Sequence, residues 1–225
     1  IQKYLTNEDK ELKITNGLDE ILDWLRRNET YATFFIVGDI LEKKPDILDK
    51  INSQGHEIGF HTMFHNRLDD ENYNKEKFRD EIKKFNELTN NHSKGFRAPT
   101  FSLNEKSSWV IDVLEELGYE YDSSIVPVKT RMYGLENAEE KPYFISSNNL
   151  KENSPNGKIK EFPLLVTKFL GKKIPAAGGF YVRTLPTKII KNAIKKYEKK
   201  EIPATFYIHS WELTPQHMPK ISMSK

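Results

Sequence analysis

Apolar positions in this chain repeat with helical and strand-like periods in turn. Leu18, Ile21, Leu22 and Leu25 recur at helical spacing behind a candidate cap at Thr15 or Asn16. Ala32-Thr33-Phe34-Phe35-Ile36-Val37-Gly38 is a continuous apolar run, rich in β-formers and closed by glycine, which reads as a buried parallel strand. Pro45 opens a second helix with Ile47, Leu48 and Ile51 inward, Gly55 follows its end, and residues 57–60 form the next strand. This strand–helix–strand rhythm predicts an α/β fold.

The rhythm continues. Residues 73–91 read as a long charged helix with Phe78, Ile82 and Phe85 inward, and 94–99 as a strand stopped by Pro99. Asn104 is placed to cap a helix lined by Trp109, Val110, Val113, Leu114 and Leu117 before Gly118, and 119–124 form another strand. Residues 129–158 are polar and carry Gly134, Pro142, Pro155 and Gly157, which predicts a long loop or small insertion. Beyond it come an apolar run at 161–166, a tight aromatic turn at Gly178-Gly179-Phe180-Tyr181, a helix from Pro186 and a final strand at 204–209. No repeat or linker interrupts the 225 residues, so the expectation is one domain over 1–225.

Composition narrows the function. The 35 basic residues are interleaved with 33 acidic ones for a net charge of +2, which argues against a nucleic-acid surface. The absence of cysteine excludes a disulfide framework and a thiolate metal site, and leaves the compartment open. No apolar run approaches the roughly 20 residues that span a bilayer.

The chemistry-bearing residues stand just past strands. His61 and His65, four apart, follow the strand Glu57-Ile58-Gly59-Phe60; on a helical turn both rings would share one face and one metal ion. The bare spacing more often marks two surface polar residues; the position after an apolar strand tilts it toward a site. Arg97 and His209 occupy the same kind of position. Arg97 suits an anion or carboxylate and equally a surface ion pair; His209 suits proton donation and equally a hydrogen-bonded core imidazole. His56, His92 and His217 read as structural or exposed.

Taken together, Ala32-Thr33-Phe34-Phe35, Gly55-His56-Glu57-Ile58-Gly59 with His61-Thr62 and His65, and Arg97-Ala98-Pro99 resemble the polysaccharide deacetylases, the NodB-homology or carbohydrate esterase family 4-like group. Tyr121-Asp122-Ser123-Ser124-Ile125, Gly178-Gly179-Phe180-Tyr181 and His209-Ser210-Trp211-Glu212 are similar to a subgroup associated with exopolysaccharide loci. The resemblance covers about 14–221 and implies a distorted (β/α)7-type barrel. It implies hydrolysis of N-acetyl groups from peptidoglycan, a chitin-like polymer or an exopolysaccharide, with a divalent metal, most often Zn²⁺, with Co²⁺, Ni²⁺ or Mn²⁺ as substitutes.

By the same resemblance, His61 and His65 are metal ligands, Arg97 braces the catalytic base, His209 protonates the leaving amine and Asp122 supports that machinery. Pro99, Phe101, Tyr181 and Trp211 are the expected contacts to an N-acetylated glycan, with core packing an equal reading for the aromatics. The family's first motif, a strand ending in two acids that act as base and third metal ligand, has no counterpart in 1–13, where Glu8-Asp9 follows polar residues. The expectation is that this strand precedes residue 1. Hydrolysis of another amide and a non-catalytic carbohydrate-binding barrel are the alternatives.

Overall fold

The computed structural model describes residues 17–217. Helix α1, Leu18–Arg27, buries Leu18, Ile21, Leu22 and Leu25 on one stripe; its N-cap is Gly17, and Thr15 and Asn16 lie outside the described residues. Strand β1, Thr33–Ile36, follows. Gly38, expected to close that strand, begins helix α2, Gly38–Lys43, and α3, Asp46–Asn52, buries Ile47 and Ile51. Next come β2, Glu57–Phe60, and α4, Lys75–Leu88, whose cap Asn74 accepts from the Lys77 N–H and whose Phe78, Ile82 and Phe85 are buried. Strand β3, Gly95–Phe96, leads to a 3₁₀ turn at Glu105–Ser107. Asn104 caps that turn in a reciprocal box with Ser107, one turn ahead of helix α5, Trp109–Glu116.

Strands β4, Tyr121–Asp122, β5, Tyr143–Ile145, and β6, Ile159–Glu161, complete a six-stranded sheet of order β1-β2-β3-β4-β6-β5. All neighbours pair in parallel except β5, which runs antiparallel to β6. The polar stretch 129–158 is therefore partly sheet, and Leu135, Ala138, Tyr143, Ile145 and Leu150 anchor it in the core. A separate hairpin joins β7, Val166–Phe169, to β8, Lys172–Pro175; Lys168, Lys172 and Lys173 hide it from hydropathy. Gly179, expected within a turn, starts helix α6, Gly179–Thr184, and α7 spans Thr187–Glu198. Residues 204–209, expected as a full strand, make one parallel bridge, Leu164 with Thr205, before the short helix α8, Ser210–Leu213.

Phe60, Phe78, Phe85 and Phe96 are all fully buried and form an aromatic cluster between the sheet and α4, with Phe60 and Phe85 centroids 4.7 Å apart. Burying each such ring contributes about 1.5–3 kcal/mol. At the far end a smaller core gathers Phe101, Val126, Leu164, Leu165, Ala176 and Ala193. Among the described residues β1 pairs only with β2, and no helix is long and apolar enough to cross a membrane.

Candidate active site

The sheet sets a staircase of backbone hydrogen bonds just past its strand ends. The His61 N–H donates to Ile36 O, Arg97 to Phe60 O, Ser123 to Phe96 O and Phe162 to Asp122 O. Each residue is thus hooked one step beyond its neighbour, and side chains distant in sequence face one end of the sheet.

His61 is the best-fixed of them. Its Nδ1 lies 2.6 Å from the Arg97 carbonyl, which only accepts, so Nδ1 carries the hydrogen and Nε2 keeps its lone pair. Burial, then the neighbouring His65 ring, pushes the His61 pKa down to about 3, so the ring is neutral at neutral pH. The His65 ring sits 5.0 Å away at 69°. No helical turn brings this about, contrary to the spacing argument: residues 61–66 are loop, with Thr62 and His65 both at φ 58°.

Left-handed backbone is costly for a β-branched threonine, and contacts from two other elements hold it there. The N–H groups of Gly38 and Asp39 donate to the Thr62 and Met63 carbonyls at 3.0 and 2.9 Å. Glu81, from α4, accepts from the Met63 N–H at 2.8 Å and from the Tyr73 hydroxyl at 2.7 Å. Glu81 is thus a positioning residue for the histidine loop, invisible to any local motif.

These residues fit two ligand positions of a transition-metal site: a neutral imidazole with its tautomer set by a backbone acceptor, beside a second imidazole. Among the described residues no group of three His, Cys, Asp or Glu converges, so the pair stands without a third partner there.

Arg97 lies across the staircase. Its Nε donates to Ser123 O at 2.8 Å and Nη2 to Ser123 Oγ at 2.6 Å, with the guanidinium carbon 4.3 Å from the Phe35 ring centroid. Burial lowers its pKa to about 10 against the pull of Asp122 and Glu161, and no carboxylate among the described residues forms an ion pair with it. Asp122 is fully buried, with Ser124 and Glu161 as its partners; no hydrogen bond or ion pair joins it to His209. The carboxylate that meets His209 is Glu212.

Glu212 Oε2 accepts from the His209 backbone N–H at 2.9 Å and lies 3.3 Å from its Nδ1, while Arg183 Nε stands 3.4 Å from Oε1. Glu212 closes a capping box at the start of α8, an i,i+3 signal readable in sequence that marks it as a helix cap before a catalytic partner. Trp211 stacks on the His209 ring at 4.2 Å and 11°. Burial lowers the His209 pKa and Glu212 opposes it; the charge of His209 in turn bears on both His61 and His65. Gly178, at φ 70°, lets Tyr207 lie against the backbone: a Cβ there would fall 2.0 Å from the Tyr207 ring.

The other expected contacts divide. Pro99 and Phe101 are buried and give a sugar little surface; Phe101 packs between Tyr133 and Tyr207, at 5.4 and 5.0 Å. Tyr181 is half-buried beside the exposed Phe180, and Trp211 is half-buried on His209.

Comparison with known proteins bears on the family and the fold. A peptidoglycan-N-acetylglucosamine deacetylase of Bacillus cereus is 34% identical over 124 residues, covering 51% of this chain and 56% of the relative. The chain thus spans only part of the curated relatives it matches. A protein of Mycobacterium smegmatis described as a polysaccharide deacetylase superposes with a TM-score of 0.52 at 21% identity, over 84% of this chain and 59% of its own. The Puue allantoinase gives 0.56 at 17% identity, over 86% and 60%. These two likenesses are of fold, the α/β distorted (β/α)7 barrel. Residues 123–225 match a domain of unknown function, DUF3473. Residues 3–121, just over half of the chain, match the polysaccharide deacetylase family, and the chain belongs to it.

Proposed function

We propose that this chain carries the metal-holding and proton-donating parts of a hydrolase that removes N-acetyl groups from an amino-sugar glycan and releases acetate. One observation carries the reading: the imidazoles are set for opposite tasks. Both rings turn Nδ1 toward an acceptor, but the neutral carbonyl at His61 leaves Nε2 a lone pair, whereas the Glu212 carboxylate at His209 favours the imidazolium, which carries a second proton at Nε2.

His61, through Nε2, and His65 would hold a divalent cation, with Zn²⁺ first and Co²⁺, Ni²⁺ or Mn²⁺ as substitutes. When bound, the cation supplies Lewis acidity toward an amide carbonyl. Hydrolysis adds water across the amide C–N bond, and the departing amine needs a proton. His209 delivers it from Nε2; Glu212 stabilises the charged imidazolium beforehand, and the stacked Trp211 limits ring rotation. Arg97, fixed by Ser123 and lying over Phe35, holds a positive charge between the two halves, available to the carboxylate that takes the water's proton. Trp211, Tyr181 and the exposed Phe180 offer apolar faces to a sugar ring.

The test is acetate release by the intact protein with Zn²⁺ or Co²⁺ on N-acetylated chitooligosaccharide, peptidoglycan and exopolysaccharide. Wild type is expected to release acetate from at least one, and His61→Ala to lose both bound zinc and release. Zinc-loaded protein that cleaves none of them overturns the reading, and cleavage of a small cyclic amide alone moves the substrate to another class.

A further inference from the structure

Behind Arg97 lies a carboxyl pair for which the reaction above has no use. Asp122 and Glu161 are register partners on the parallel strands β4 and β6, and both are completely buried. Strand alternation turns them to the face opposite Arg97 and Ser123, the layer that also holds Phe96 and Tyr143. Asp122 Oδ1 accepts from Ser124 Oγ at 2.5 Å, and Glu161 Oε1 from the Ile125 N–H at 2.9 Å. The remaining oxygens, Asp122 Oδ2 and Glu161 Oε2, are buried without any donor.

Two buried carboxylates side by side with two empty acceptor positions are a costly arrangement. A single proton removes the cost: an O–H on one carboxyl donates to the free oxygen of the other, and both vacant positions are filled at once. The Ser123 and Ser124 N–H groups favour the charged forms of Asp122 and Glu161, but no donor reaches the two free oxygens. Arg97 bears on both from across the sheet, but its N–H groups go to Ser123; the Tyr143 hydroxyl donates to Leu150 O; Tyr121 donates to Glu57. Burial raises both pKa values, and the Asp122 charge raises that of Glu161 further, well above the usual carboxylate range.

The pair is also wired to the site. Ser124 Oγ accepts from the Ala98 N–H while donating to Asp122, and Ser123, next in the chain, receives Arg97 through both its carbonyl and its hydroxyl. We propose that Asp122 and Glu161 share one proton, carry one net negative charge, and act as positioning residues that clamp 123–125 and so aim the Arg97 guanidinium. The aiming role rests on the hydrolase reading above; the shared proton does not.

Infrared difference spectroscopy on the intact protein separates the two. At neutral pH the wild-type spectrum is expected to show the carbonyl stretch of a protonated carboxylic acid. Glu161→Gln is expected to remove that band, because its amide N–H donates to Asp122 as the shared proton did. Absence of the band from wild type, or its persistence in Glu161→Gln, overturns the shared proton, and the wild-type spectrum decides even if the variant fails to fold. For the aiming role, solvent exchange of the Arg97 Nε hydrogen is measured by NMR in the Asp122→Asn/Glu161→Gln double variant. Exchange is expected to quicken about fivefold or more, the margin of charge-assisted over neutral hydrogen bonds. An unchanged rate overturns the clamp. Neither readout needs turnover, so failure of the deacetylase assay leaves both interpretable.

Discussion

The two histidine-bearing ends of this molecule are built to different standards. The His61–His65 loop rises from a strand inside a parallel ladder, is pinned by two backbone donors from α2 and by Glu81 from α4, and rests on the Phe60–Phe85–Phe96 cluster. The His209 end follows a segment held by a single bridge, with Phe206 39% and Ile208 41% exposed, and depends on Trp211 stacking and one carboxylate. The proposed metal ligands need two nitrogens at fixed separation, and strain in the loop is consistent with fixing them. Proton delivery tolerates small displacements, and local opening at that end costs less.

The contrast can be broken at its base. Phe60→Ala should destabilise the protein by about 3–5 kcal/mol, against about 1 kcal/mol or less for Phe206→Ala. Chemical denaturation of the two variants measures the gap, and equal losses would erase the distinction. A smaller effect sharpens it: Glu81→Ala leaves the Met63 N–H and the Tyr73 hydroxyl unpaired, for about 1–3 kcal/mol. The same variant should weaken zinc binding by roughly 10–100-fold although Glu81 touches no metal ligand. Calorimetric titration with zinc checks this, and unaltered affinity would show that the loop holds its shape without Glu81.

The smallest effect lies at the other end. Glu212 raises the His209 pKa, so Glu212→Gln lowers it. The acid must be protonated to act, and activity falls as pH rises through that pKa; the alkaline limb of the rate profile should therefore move to lower pH. Turnover near neutral pH should drop about tenfold with little change in KM. A limb that stays in place would separate Glu212 from proton delivery and leave it a helix cap.

The legible parts of this fold were those in which local pattern and tertiary demand agree. The stripe Leu18, Ile21, Leu22 and Leu25, the run that became β1, and the inward Phe78, Ile82 and Phe85 of α4 each carry their own period. The β7–β8 hairpin was hidden because Lys168, Lys172 and Lys173 interrupt the alternation of a pair that stands outside the main sheet. The histidine loop could be located, but its conformation could not be read, since Thr62 and His65 are held left-handed by Gly38, Asp39 and Glu81, all distant in sequence. Asp122 was visible through the family resemblance, inside the expected strand 119–124. Its neighbour was not, because the meeting with Glu161 depends on register between strands separated by the whole 129–158 stretch.

Arg97 serves two clients with separate parts of itself: its carbonyl fixes the His61 tautomer and its side chain lies across the Phe35 ring. Every amino acid brings a carbonyl to position 97, whereas only arginine brings this guanidinium. A lineage that exchanged the residue would forfeit the cation and keep the histidine orientation, so the proposed metal binding and the proposed turnover are free to diverge under separate selection.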